Sequence, residues 1–389
     1  MQKPLKNDSS DQIWLFIFGE DRALISHRQA LIHAAIKKGK QVIIATKFTQ
    51  HRQAIEHLGA QTIDLNIERT GLSLRSEWVC VFEIAKIIRQ YQPELVHLLS
   101  VKACLLGLLG SLISLKQPVI VMALTGLGFL FLSSRLKIKL LRMCIVKLMA
   151  LALKILRGFV IVQNQNDWQF AVRSLKVEPR KIALIANAGV DLNRLQKKQS
   201  QKGDSKSLIA LYMGRYIADK GLFELVEAGL ILKEKKCPIK IAIAGQCDLK
   251  NPTAIQPEQI LNWHQQGLIE DWGFFEHPED ALLKADIAVL ASHREGSPKF
   301  LAEAAACGLP LVAFDVPGSN MLCRHHATGL LARPFDCQSL ADSLMQLALD
   351  KDLRLKLGEG AFKMAQNELG VDLINDQTLN FFEIALQSK

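Results

Sequence analysis

The sequence predicts an α/β protein made of two doubly wound, parallel-sheet domains facing a cleft. Three observations carry this expectation. Short apolar runs of strand type alternate with helical patterns in both halves of the chain. A polar stretch at residues 196–207 (QKKQSQKGDSKS), with no large apolar side chain, interrupts the alternation. The length of 389 residues also exceeds what one hydrophobic core ordinarily organises.

In the first half the strand-type runs are 13–18, 41–45, 95–99, 119–123 and 158–163. Near-continuous apolar runs of this length suit strands covered on both faces. Helical patterns such as 27–38 and 78–91 separate them. The alternation restarts at 208–213 and continues at 239–244, 272–275, 287–291 and 311–314, with helices at 222–235 and 299–307. The expected domains are residues 1–198 and 199–365, and a terminal helix within 366–389 is expected to pack back on the first domain.

Composition removes several classes of protein. Hydrophobic residues at 49% and charged residues at 22% exclude an intrinsically disordered chain. No run reaches the roughly 18–20 apolar residues that cross a bilayer. The longest, 103–115, lies between Lys102 and Lys116 and reads as a buried helix. The run 13–18 is too short for the apolar region of a signal peptide and reads as a first strand. Eight scattered cysteines without a C-x-x-C pair point to a reduced, cytoplasmic protein. Cys323-Arg324-His325-His326 suggests a metal cluster only superficially, because adjacent histidines leave a regular element on different faces. No metal is expected.

Charge is unevenly shared. Residues 1–200 hold 29 Lys+Arg against 13 Asp+Glu, whereas residues 201–389 hold 19 against 25. A basic first half calls for anionic partners: phosphorylated substrates, nucleic acid or an anionic membrane surface. Nucleic acid is set aside, since no aromatic stacking platform or nucleic-acid module accompanies the charge.

Two stretches carry chemistry. The run 208–213 leads into Gly214-Arg215, and Lys220-Gly221 follows just before a helix. A βα turn of this kind presents free N–H groups and the positive end of a helix dipole to a phosphate. Arg215 would add a forked donor and Lys220 a mobile point charge, although an ordinary βα loop with solvated basic residues fits the same pattern. The second stretch is Glu295-Gly296-Ser297-Pro298-Lys299-Phe300-Leu301-Ala302-Glu303, again after a strand and opening a helix. A carboxylate accepts two hydrogen bonds from a vicinal diol, so Glu295 and Glu303 suit sugar hydroxyls. A surface position for Glu303 is the plain alternative, and its apolar neighbours Leu301, Ala302, Ala304 and Ala305 argue against it.

With these residues in view, the sequence resembles glycosyltransferase family 4, of GT-B fold, in its capsule and O-antigen branch. The resemblance rests on "MGRYIADKGLFELVEA", "IKIAIAG", "DWGF", "ADIAVLASHREGSPKFLAEAAACGLPLVAFDVPG" and "TGLLARPFD" in the second half. In the first half it rests on "LISHRQALIHAAIKKGKQVIIAT", "QPELVHLLSVKACLLG", "ALTGLGFLF", "VIVQNQND" and "ANAGVDLNR". It implies that Arg215 and Lys220 hold the donor diphosphate, that Glu303 binds ribose hydroxyls and that Glu295 contacts the transferred sugar. Backbone amides from Gly296 to Lys299, through Ser297 and Pro298, would face phosphate or sugar. It also implies retention of anomeric configuration without a metal or other cofactor, the nucleotide sugar being a co-substrate.

On the acceptor side the resemblance implies roles for Ser26, His27 and Arg28, which are expected to begin a helix, and for the glycine-rich loop at Thr125-Gly126. His97, inside a strand run, is equally a satisfied core histidine or a substrate contact. Two positions depart from the family pattern: Thr125 stands where many members have histidine, and Met321 where glutamate is usual. Residues 134–157 form an apolar helical pattern punctuated by Lys137, Lys139, Arg142, Lys147, Lys154 and Arg157. Such a helix lies in an anionic membrane interface, or packs on a core with a solvated basic face.

The resemblance thus implies a retaining hexosyltransferase of surface polysaccharide assembly. A nucleotide sugar would donate to a lipid-diphosphate-linked glycan, and the protein would sit peripherally on the inner face of the membrane. A nucleotide-sugar epimerase or hydrolase of the same fold, or a catalytically silent nucleotide-sugar-binding subunit, are the alternatives.

Overall fold

A computed structural model describes residues 12–67, 74–125, 136–186, 189–195 and 207–388. The polar stretch 196–206 and Gly126 lie outside these described residues. The chain divides into two compact units, Met1–Ala188 with Ile374–Lys389, and Gly189–Leu373.

The first unit holds seven parallel strands: β1 (Ile13–Ile17), β2 (Gln41–Thr46), β3 (Gln61–Asp64), β4 (Leu95–Leu99), β5 (Val119–Leu124), β6 (Phe159–Val162) and β7 (Ile182–Leu184). Their order across the sheet is β3-β2-β1-β4-β5-β6-β7. One sheet face, with Leu15, Ile17, Val96 and Leu98, packs on helices Leu74–Tyr91, Val101–Ser114 and Leu136–Leu156. The other face, with Trp14, Phe16, Ile44 and Val121, receives Leu31 and Ile32 of helix Gln29–Lys37 and Phe381 and Phe382 of helix Val371–Gln387. Alternation of side chains along each strand serves both cores.

The second unit holds β8 (Leu208–Tyr216), β9 (Ile239–Cys247), β10 (Glu270–Asp271), β11 (Ile287–Leu290), β12 (Leu311–Phe314) and β13 (Gly329–Ala332). All pair in parallel, in the order β10-β9-β8-β11-β12-β13. The sheet therefore grows one way from β8 to β10 and the other way from β11 to β13. Ligands in open parallel sheets bind where the order reverses, beyond the carboxyl ends of the strands. Here that place lies between β8 and β11.

Three expectations are corrected. Residues 272–275 are not a strand: β10 ends at Asp271, and Gly273, at φ +69°, leaves the extended conformation. Gly214 lies not in a turn but inside β8, which continues to Tyr216 and pairs Gly214 with Gly245. Ser26, His27 and Arg28 do not begin a helix. Ser26 and His27 end helix Asp21–His27, and Arg28 breaks the chain at φ −136°, ψ 2° before helix Gln29–Lys37.

Asp21, the first residue of helix Asp21–His27, ties that helix to the loop after β2. Its buried carboxylate accepts from Thr49 N at 2.8 Å, Thr49 Oγ1 at 2.7 Å, Gln50 N at 3.1 Å and His51 N at 3.0 Å. Burial alone would raise its pKa, but these bonds outweigh it and hold the carboxyl below its ordinary 3.8. Such a group stabilises the fold above the unfolded value, and the contribution is lost as pH falls through the lower folded value. Asp21→Asn is expected to cost about 1–3 kcal/mol at neutral pH. Urea midpoints should show the gap between variant and parent closing below pH 3.8.

Candidate active site

The carboxyl ends of β8, β11 and β12 bring three segments of the second unit together. After β8, a short turn at Ala218–Lys220 leads to Gly221, which sits at φ +73° as the cap of helix Leu222–Glu234. A Cβ on Gly221 would lie 1.9 Å from the carbonyl oxygen of Ala291, the residue that follows β11. The bare glycine lets the helix start abut the end of β11. Two further contacts join the same segments: His293 N donates to Asp219 O at 3.0 Å, and Lys220 Nζ donates to Glu295 Oε1 at 2.5 Å.

The third segment follows β12. Glu295 N donates to Pro317 O at 3.0 Å, and a Cβ on Gly318, at φ +85°, would lie 2.5 Å from Glu295 O. Loop 292–298 is therefore held on both sides. It feeds helix Lys299–Ala306, whose cap position is Pro298. Ser297 Oγ and Ser319 Oγ are shielded from solvent, with no hydrogen-bond partner.

Each cation named for the donor side already meets a carboxylate. Arg215 Nη1 lies 2.8 Å from Asp248 Oδ2, Lys220 pairs with Glu295, and Lys299 Nζ lies 3.3 Å from Glu303 Oε1. Burial differs sharply among them. The Arg215 side chain is 46% exposed, Lys220 is 24%, and Glu303 is only 4%. Burial pushes the Glu303 carboxyl above its ordinary range, opposed by Lys299 and Arg194 and reinforced by Glu279. Tyr212, beneath this set, donates to the Arg215 carbonyl at 2.8 Å and packs edge-on to Phe300. A Cβ on Gly214 would come within 2.9 Å of the Tyr212 hydroxyl, so the bare backbone makes room for that bond.

Sequence reasoning missed Asp248, at the carboxyl end of β9, and the pair His293–Glu224. His293 Nε2 lies 2.7 Å from Glu224 Oε1, linking loop 292–298 to the first turn of helix Leu222–Glu234. Met321 is partly buried in helix Ser319–Leu322, and the nearby Asp315 carboxylate accepts from Asn320 Nδ2 at 2.8 Å.

The first unit holds the remaining named residues. His97 on β4 is 1% exposed, with Nδ1 3.0 Å from Val121 O and its ring against Phe16 and Phe382. Burial, helped by the charge of Arg28, pushes its pKa down to about 3, so the ring is neutral. Arg28 is 7% exposed, and burial lowers it to about 10. Arg28 Nε, His97 Nε2 and Thr46 Oγ1 are all shielded and without a hydrogen-bond partner. Ser26, His27 and Thr125 are exposed.

Two family models cover most of the chain: Glycosyl transferases group 1 over residues 193–364, and Glycosyl transferase 4-like over residues 15–159. The chain is thus a glycosyltransferase, with a 4-like domain in its first half and a group 1 domain in its second. Over 367 residues this transferase is 26% identical to the N,N'-diacetylbacillosaminyl-diphospho-undecaprenol alpha-1,3-N-acetylgalactosaminyltransferase of Campylobacter jejuni, covering 92% of this chain and 94% of that one. It is 21% identical to the capsular polysaccharide biosynthesis glycosyltransferase CapM of Staphylococcus aureus, covering 82% and 84%. Among solved structures, the sucrose-phosphate synthase of Thermosynechococcus elongatus superposes at TM-score 0.78, with 18% identity and 97% and 100% of the chains covered. Anabaena HepE, in complex with UDP and glucose, does so at 0.74, with 18% identity and 95% and 99% covered. The transferase therefore has the GT-B fold, with two Rossmann-like domains.

Proposed function

We propose that this glycosyltransferase moves a hexose-type sugar, with retention, from a nucleotide-sugar donor to a lipid-diphosphate-linked glycan during surface polysaccharide assembly. The observation that carries the donor assignment is the 2.5 Å contact between Lys220 and Glu295 at the strand-order reversal. It joins a cation suited to a diphosphate and a carboxylate suited to a sugar hydroxyl. The lipid-linked acceptor draws on the Campylobacter relative, which works on a diphospho-undecaprenol.

Arg215 and Lys220 would neutralise charge on the departing nucleotide diphosphate, where fixed charges in a partly buried site lower the barrier most. Their carboxylate partners make donor binding an exchange of ion-pair partners. Asp248 yields Arg215 to phosphate, and Glu295 turns from Lys220 to the sugar. Glu303, deeply buried beside Lys299, would accept from the ribose hydroxyls. The acceptor hydroxyl would attack from the face of the leaving group, its proton passing to a donor phosphate oxygen. No metal or other cofactor enters this scheme.

A thermal-shift panel of nucleotide sugars tests the donor site. One or more should raise the melting temperature, and Glu303→Ala should weaken that ligand at least about tenfold by leaving two hydroxyls without their acceptor. Absence of any shift across uridine, guanosine and adenosine sugars would overturn the assignment. Donor consumption without any glycan acceptor would instead favour an epimerase or hydrolase.

The peripheral membrane reading draws on helix Leu136–Leu156. It contains no acidic residue, while Leu140, Leu151 and Ile155 are 52%, 56% and 59% exposed. Among the described residues, no helix is long and apolar enough to cross a membrane. A helix of this composition fits an anionic leaflet, which is where a lipid-linked acceptor would be presented.

A further inference from the structure

We infer that helix Leu74–Tyr91 is a second membrane-docking element of the first unit, and that its aromatic stripe at Trp78 and Phe82 dips into the interface of an anionic bilayer. The inference rests on the peripheral reading above and extends it to a helix that reading did not include. Helices Leu74–Tyr91 and Leu136–Leu156 both pack against helix Val101–Ser114, and all three bury their inner sides in one core on the same face of the seven-stranded sheet. Their outer sides thus belong to one layer.

On helix Leu74–Tyr91 the inner side is Cys80, Val81, Ile84, Ile87 and Ile88. The outer side carries Trp78 at 49%, Val79 at 46% and Phe82 at 58% exposure, a large apolar area to leave in water. Trp78 and Phe82 are one helical turn apart, with ring centroids at 6.2 Å, and form a single patch. The exposed charges on this side are all basic: Arg75, Lys86 and Arg89. Its two acidic groups are partly buried, Glu77 pairing with Lys102 at 2.5 Å and Glu83 accepting from Asn66, while Arg89 also donates to the Ile113 and Ser114 carbonyls. On helix Leu136–Leu156, Lys137, Lys139 and Lys147 are exposed among leucines.

Among the described residues the fully exposed charges beside this apolar patch are positive, and such a patch matches an anionic lipid surface in both its parts. Apolar side chains enter the acyl boundary, and tryptophan prefers the headgroup level. Lysine and arginine add attraction to the anionic headgroups. A protein partner for the same patch would need acidic groups around an apolar centre. A second copy of this chain would bring basic against basic.

Co-sedimentation of the full chain with vesicles of phosphatidylglycerol and phosphatidylethanolamine tests this, with purely zwitterionic vesicles as comparison. The parent should bind the anionic vesicles and release them at high salt. Trp78→Ala/Phe82→Ala should weaken binding by about tenfold or more, since each loses a large apolar side chain from the interface. Its melting temperature should stay near the parental value, because both residues already face solvent. Unchanged binding by this variant, alongside loss in Lys137→Glu/Lys139→Glu/Lys147→Glu, would overturn the inference while sparing the peripheral reading. A parent that binds no anionic vesicle would end both. A lipid-free parental dimer that Trp78→Ala/Phe82→Ala dissociates would assign the patch to a second copy and overturn the inference as well.

Discussion

Lys220→Ala is expected to lower turnover by about 10²–10³-fold while leaving the fold intact, the size of loss seen when a fixed charge-stabilising donor is removed. Lys220 is partly exposed, so the substitution opens no sizeable hole. What it removes is the Nζ held 2.5 Å from Glu295 at the reversal point of the sheet. A diphosphate leaving group gains charge as its bond to the sugar breaks, so the loss should fall on kcat more than on KM. Lys220→Arg should recover part of the rate, because it restores the charge with a different reach. A double-mutant cycle with Glu295→Ala gives the coupling directly. Additive losses would mean that the contact plays no part in the reaction, and equal losses for single and double variants would mean that the two act as one unit.

Gly221→Ala should do more structural damage than any surface change nearby. A left-handed conformation costs an alanine about 1–2 kcal/mol, and the added Cβ would meet the Ala291 carbonyl oxygen at 1.9 Å. Relieving that overlap means parting the helix start from the end of β11, which adds about 1–3 kcal/mol. A total of about 2–5 kcal/mol is therefore expected in urea unfolding of the chain. Gly273→Ala supplies the control, since Gly273 has φ +69° but nothing within 4 Å of its would-be Cβ. It should lose only the conformational part. Equal losses at the two positions would show that the Ala291 contact is unimportant. Donor binding should weaken only in Gly221→Ala, because that substitution shifts the loop carrying Glu295.

The parts of the fold that were legible in sequence are those buried on both sides. Strands β4 and β12 read directly from Leu95–Leu99 and Leu311–Phe314, where every residue is buried. The edge strands β3 and β7 were missed because QTID and IAL are short and half exposed, so they carry little hydrophobic signal. The break at Arg28 was hidden for a different reason. Helical periodicity runs through it, and no glycine or proline marks the position where Arg28 leaves helical geometry.

At the site, residue types and positions at strand ends were legible, but partners were not. Lys220 and Glu295 are separated by 75 residues, and His293 and Glu224 by 69, so no local spacing joins them. Only the order of strands in the sheet does. Asp248 is not legible as a partner because the apolar run of β9 ends at residue 244, whereas the strand itself continues to Cys247 and presents this carboxylate just beyond. Glu303, by contrast, could be read as buried from its alanine and leucine neighbours, and it is.

Ile374, Leu379, Phe381, Phe382 and Ala385 complete a core whose other buried members, from Trp14 to Ile185, belong to the first half of the chain. On a ribosome the amino-terminal unit would therefore emerge with its sheet face open around Trp14 and His97 while the whole of Gly189–Leu373 was still being made. Domains usually complete themselves in the order of synthesis. Here the second to be synthesised can close first, and a chain cut before residue 371 would present an unsealed aromatic surface to the quality-control machinery of the cell.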